Sequence, residues 1–180
     1  MSRADDRFHP LQRWLHWTMA AALLAMLVIG VVMASSLTLR PTLLAIHRPL
    51  GIAIGVLALL RLVVRLRYGA PPLPADLPRW QVLGAHASHI ALYALMLAMP
   101  LLGWAMLSAG GMPVILWPGV LLPPLLPFSP AAYAVLQPAH QFAAWSLAAL
   151  VLAHIGAALH HAWVRRDGVW QAMGGGRRPD

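Results

Sequence analysis

The sequence predicts an all-α fold, an integral membrane four-helix bundle with both termini cytoplasmic, and three observations carry that prediction. Of its 180 residues 60% are hydrophobic and 10% are charged, with a mean hydropathy of +0.69, far outside the range of a soluble domain. The apolar residues gather into four runs long enough to cross a bilayer, which takes about twenty residues of helix. The charge is one-sided: thirteen arginines face five aspartates, with no lysine or glutamate, for a net charge of +8. Those arginines cluster just outside the apolar runs, where they bind lipid headgroups and set topology. The basic pI of about 11.7 therefore points to membrane lipid as a partner and not to nucleic acid. Cysteine is absent, which removes disulfides, thiolate metal sites and iron–sulfur clusters. Any redox chemistry must use a histidine-bound or non-covalent cofactor.

Residues 1–180 read as one membrane domain with spans over about residues 12–34, 43–66, 80–107 and 138–164. The first span is too long for the apolar part of a signal peptide, and Trp14 and Trp17 suit an anchored helix end. A turn-prone stretch from Ser35 to Thr42, with Pro41, leads to the second span. The linker Tyr68 to Pro78 holds four prolines that lack amide donors, so it is not helical. After the third span, Gly110 to Pro130 holds six prolines and no charge. An irregular loop at or near the membrane surface is expected there. Pro138 is expected to open the fourth span at its first turn, where proline is tolerated.

Arginine distribution orients the bundle, because short cytoplasmic loops are enriched in it. Arg3, Arg7 and Arg13 precede the first span, Arg65, Arg67 and Arg79 surround the second linker, and Arg165, Arg166, Arg177 and Arg178 follow the fourth. The other two loops hold only Arg40 and Arg48. Both termini are thus expected in the cytoplasm.

In that frame four histidines fall at two depths. His140 and His154 are fourteen residues apart, close to four turns, so they leave one helix face about 21 Å apart along the axis. His47 shares the outer depth of His140, and His16 shares the inner depth of His154. An imidazole within a membrane needs a partner or a metal. Two imidazoles facing each other at each of two depths are what two stacked haems require. A haem iron with both axial positions filled is suited to electron transfer rather than oxygen binding. Glycines supply room for a porphyrin: Gly51 and Gly55 follow His47 on its face, and Gly30 lies fourteen residues after His16. The other reading is of interfacial histidines bonded to headgroups, or of a small metal-handling or transport protein whose histidines hold a metal ion.

Several stretches resemble the prokaryotic cytochrome b561 family, four-helix dihaem membrane proteins related to the cytochrome b subunits of nickel–iron hydrogenases and formate dehydrogenases. They are Arg13-Trp14-Leu15-His16-Trp17, Ile46-His47-Arg48-Pro49-Leu50-Gly51, Leu60-Arg61-Leu62-Val63-Val64-Arg65, Ala85-His86-Ala87-Ser88-His89-Ile90-Ala91-Leu92-Tyr93 and Ala98-Met99-Pro100-Leu101-Leu102-Gly103-Trp104. The similarity continues from His140 to His154 and from His160-His161 to Asp167-Gly168. The resemblance implies that His16, His47, His140 and His154 ligate two haem b groups, in the pairs His16/His154 and His47/His140. It also implies an oxidoreductase that takes electrons outside, from a small anion such as superoxide, and delivers them to ubiquinone or another quinone. An anchor subunit fed by a separate redox protein is the alternative within that chemistry.

The remaining polar residues each carry two readings. His86 and His89, at i and i+3 near the cytoplasmic start of the third helix, either line a quinone site or form an interfacial pair touching a haem propionate. His160 and His161 either serve a quinone or simply suit the last turn of a helix. Arg61 lies fourteen residues after His47 with Arg65 one turn on. The two either pair with propionates or extend to the headgroups.

Overall fold

The computed structural model describes residues 7–174; Arg3, Arg177 and Arg178 lie outside the described residues. Four helices are long and apolar enough to cross a membrane: α1 (Pro10–Ser35), α2 (Arg40–Tyr68), α3 (Arg79–Ala109) and α4 (Pro130–His160), the last prolonged by a π turn at His161–Arg165. A short α5 (Val169–Gly174) follows. Each of α1 to α4 packs on the next in sequence, as short connections dictate. α4 leans on α3 and makes few close backbone approaches to α1 or α2. Large side chains cover the outer surface, with Trp14, Val28, Leu66, Ile90 and Leu152 all exposed, as lipid-facing helices require.

Eight of the buried residues form one layer at mid-height. Met19 and Leu23 come from α1, Ile54 and Ala58 from α2, Leu92 and Met96 from α3, Leu147 and Val151 from α4. Each pair is spaced one turn apart, so each helix turns a single narrow stripe inward. Above and below this layer sit the polar residues that matter. One end of the bundle carries both described termini and the α2–α3 linker; the other carries the α1–α2 turn and the α3–α4 connection.

The α3–α4 connection differs from the irregular loop expected of it. Val114–Trp117 (β1) pairs antiparallel with Val120–Leu122 (β2). Pro118-Gly119 closes the hairpin, with Gly119 at φ +86°, the left-handed value that a proline–glycine turn needs at its third position. α4 likewise begins eight residues before the expected Pro138. Ser129 caps it, its hydroxyl accepting from the Ala132 amide at 3.2 Å, and Pro130 takes the first turn. Pro138 lies inside α4, as Pro49 and Pro100 lie inside α2 and α3; neighbouring helices make such prolines tolerable in membranes.

At the terminal end, Gln12 is buried and donates to the carbonyls of Gly69 (2.9 Å) and Val64 (3.4 Å), tying α1 to the end of α2. Gly69 ends α2 at φ +68°, its amide bonding the Arg65 carbonyl. α5 folds back across the start of α1. The Met173 carbonyl accepts from Arg13 Nε and Trp17 Nε1, and the Ala172 carbonyl accepts from the Phe8 amide.

Candidate functional site

Four histidines from three helices meet in two pairs. The His16 and His154 ring centroids are 6.3 Å apart, and so are those of His47 and His140, with interplanar angles of 66° and 64°. With a metal–imidazole bond of about 2 Å and about 1.1 Å from ring nitrogen to centroid, two imidazoles sharing one metal have centroids about 6.2 Å apart. Both pairs thus have the span of two axial ligands. The Nδ1 atoms of His16, His47 and His140 are buried with no hydrogen-bond partner, which native interiors avoid unless another group claims the ring. Among the described residues no three His or Asp side chains gather as a metal-ion site would need. Each pair has the span of two imidazoles that would hold one metal between them, as they would the iron of a haem.

Space is provided beside the pair at the hairpin end. A cavity of about 300 Å³ opens among all four long helices, flanked by His47 and His140, at the small end of the range for ligand sites, roughly 300–1,000 Å³. Its floor is the upper half of the apolar layer, one residue from each helix: Leu23, Ile54, Met96 and Leu147. Gly30, Gly51 and Gly103 line it. A Cβ on Gly103 would come 3.2 Å from His140 Cε1, so this glycine lets the imidazole come close against α3. Gly55, by contrast, does not line the cavity; a Cβ there would stand 2.8 Å from Pro100 Cγ. Its role is helix contact. Arg48 also lines the cavity, with its Nε buried and unpartnered, whereas Arg40 donates to the Met33 carbonyl at the end of α1.

The pair at the terminal end has a different setting. His89 stands beside it, 5.6 Å from His154 between centroids. Arg61 lies within electrostatic reach of His16, His89 and His154, and Arg65 within reach of His89. The Arg61 guanidinium rests 5.4 Å from the Tyr93 ring and that of Arg65 5.1 Å from the Phe8 ring, ordinary cation–π distances. Among the described residues neither arginine has a carboxylate in ion-pair range. His86 parts from His89: its Nδ1 lies 2.8 Å from the Val82 carbonyl on the exposed side of α3.

His160 and His161 are turned elsewhere as well. The π turn swings His161 onto Asp167 at 2.7 Å, and Arg165 reaches the same oxygen at 3.0 Å. Arg165 also binds Asp76 of the α2–α3 linker at 2.6 Å, and the Val169 amide donates to Asp167 at 3.3 Å. One carboxylate thus joins the end of α4 to α5. Burial raises the Asp167 pKa, but hydrogen bonds from His161, the Val169 amide and Arg165 outweigh it and leave it below the usual value. A carboxyl depressed in the fold stabilises fully above its unfolded value, about 3.9, and the contribution fades as pH falls through the lower folded one. The clamp should therefore persist through mild acid. Asp167→Asn should open it at neutral pH, seen as faster hydrogen exchange in residues 168–174 with exchange in the apolar layer unchanged.

Residues 7–176 match the family Prokaryotic cytochrome b561. The chain is 32% identical over 171 residues to the Cytochrome b561 homolog 1 of Escherichia coli (strain K12), covering 90% of this chain and 93% of that protein. It is 28% identical over 177 residues to the Cytochrome b561 homolog 2 of the same organism, covering 96% and 93%. Over 114 residues it is 32% identical to the Probable superoxide oxidase CybB of Yersinia pestis, covering 58% of this chain and 60% of that protein.

Proposed function

The chain belongs to the prokaryotic cytochrome b561 family, whose work is haem b electron transfer in the membrane, and from that premise we propose an oxidoreductase of the bacterial inner membrane. It passes single electrons from a small anionic donor on the outer face, such as superoxide, to a quinone near the cytoplasmic end. The two histidine pairs with the same 6.3 Å span carry this reading. His47 and His140 hold the outer haem b, His16 and His154 the inner one. Haem b held by two imidazoles takes up and gives back one electron with no open coordination position.

The protein's own residues supply placement and charge. Arg61 and Arg65 bring positive charge to the inner pair, where propionates would compensate it, and the layer from Met19 to Val151 keeps water from joining the two sites. Arg48, half-buried with its Nε unpartnered, offers the outer site a positive charge, and with Arg40 it draws anions to that end. The α3–α4 connection presents no charge on which a large redox protein could dock, which favours a small donor over a partner subunit. At the inner end His89 stands next to His154, with His160 at the end of α4 and His161 on the π turn beyond it. An imidazole there can hydrogen-bond a quinone carbonyl and exchange a proton with it.

The protein purified from cells should contain about two haems per chain, with sharp α-bands on reduction, and superoxide added to the oxidised protein should reduce it. A colourless protein would refute the haem assignment; a haem protein that superoxide leaves oxidised would refute the donor alone.

A further inference from the structure

No Asp, Glu, Lys or Arg occurs between Arg79 and Arg165, a stretch that includes the whole α3–α4 connection. A connection that stood in water would be expected to show polar residues outward, as antiparallel hairpins alternate apolar-in and polar-out when one face is solvated. This hairpin does not. Val114 is 5% exposed and packs beside the outer cavity, so one face is spent on the bundle. The opposite face carries Ile115 and its cross-strand partner Leu121, together with Trp117. Trp117 is 57% exposed, Leu121 61%, and Phe128, just before α4, 71%.

The hairpin is also held in place. Trp104 donates to the Pro123 carbonyl at 2.9 Å, the Leu125 amide to Ser108 Oγ at 3.0 Å, and the Ser129 amide to the Ala109 carbonyl at 2.9 Å. β1 packs against both α2 and α3. The outward apolar face therefore belongs to a connection anchored on α2 and α3. An uncharged surface tipped by tryptophan and phenylalanine matches the interfacial belt of a bilayer.

We propose that the β1–β2 hairpin and Phe128 are embedded in the lipid of the leaflet at that end, forming a lipid-immersed edge beside the His47/His140 site. A second copy of the chain, a partner protein or water are the other possible occupants. The inference rests on membrane insertion and is independent of the donor's identity.

The chain has no cysteine, so a single nitroxide can be placed at will. The holoprotein carrying Leu121→Cys, reconstituted in phosphatidylcholine–phosphatidylglycerol vesicles, should show the oxygen accessibility and exclusion of aqueous nickel complex seen for Val28→Cys, an exposed position on α1. A label at Leu121 as open to nickel as one at Ala75→Cys on the α2–α3 linker would overturn the proposal. So would one shielded from both reagents, the mark of a covering protein. Phe128→Cys provides the same reading should Leu121→Cys fail to retain haem.

Discussion

His140→Ala should halve the haem content of the purified protein and leave the inner centre's spectrum in place. His140 and His47 face each other at the span of two axial ligands, while His154, fourteen residues on, faces His16 on the far side of the apolar layer. Alanine at 140 removes one of two ligands at a single level and enlarges a cavity already present, without touching the layer that holds the helices together. A pyridine haemochrome assay gives the stoichiometry, and a reduced-minus-oxidised spectrum shows which α-band is gone. Loss of both haems from a variant that still elutes as a single species would contradict two separate pairs.

The second large effect is structural. Gly55→Leu should destabilise the fold by about 1–3 kcal/mol, the usual cost of forcing volume into a packed contact. The first added carbon would stand 2.8 Å from the Pro100 ring, where α2 and α3 approach and Pro100 has no rotamer by which to retreat. Thermal loss of the haem absorbance in detergent measures it. At Gly51, one turn earlier, the added carbon meets only the flexible Met26 tip at 3.7 Å. Gly51→Ala should accordingly fold normally, and equal destabilisation by the two substitutions would sink the distinction.

The difference between these glycines marks how far the chain could be read before its structure. A fourteen-residue step brings a helix back to nearly the same face. It links His16 to Gly30, His47 to Arg61, His89 to Gly103 and His140 to His154. Three of those steps were legible and placed the two histidine levels. The fourth leads to Gly103, the glycine under His140, but a fourteen-residue step from His89 does not say which helix stands opposite, so Gly103 carried no mark among Leu101, Leu102 and Trp104. Gly55 looked like cofactor space because periodicity reports the face of a helix and not what stands opposite. The hairpin was missed because six prolines argued for irregular chain, although Trp117-Pro118-Gly119-Val120 between two apolar runs is a turn signature. The clamp at Asp167 had no sequence signal at all, since the π turn that delivers His161 to it follows from packing.

The layer between the histidine levels has an electrical consequence. Its eight side chains, from Met19 to Val151, contain no group that could pass a proton. On the function proposed, an electron crossing it would travel without a compensating ion from these side chains, and so would move net charge through the thickness of the bilayer. In the orientation proposed, that charge moves toward the negative side, against the resting voltage, at a cost of about 2.3 kcal/mol per 100 mV for the full distance. Inward electron flow should then slow as the membrane energises and quicken when an uncoupler collapses the voltage. The membrane potential would thus act as a brake on the protein's throughput.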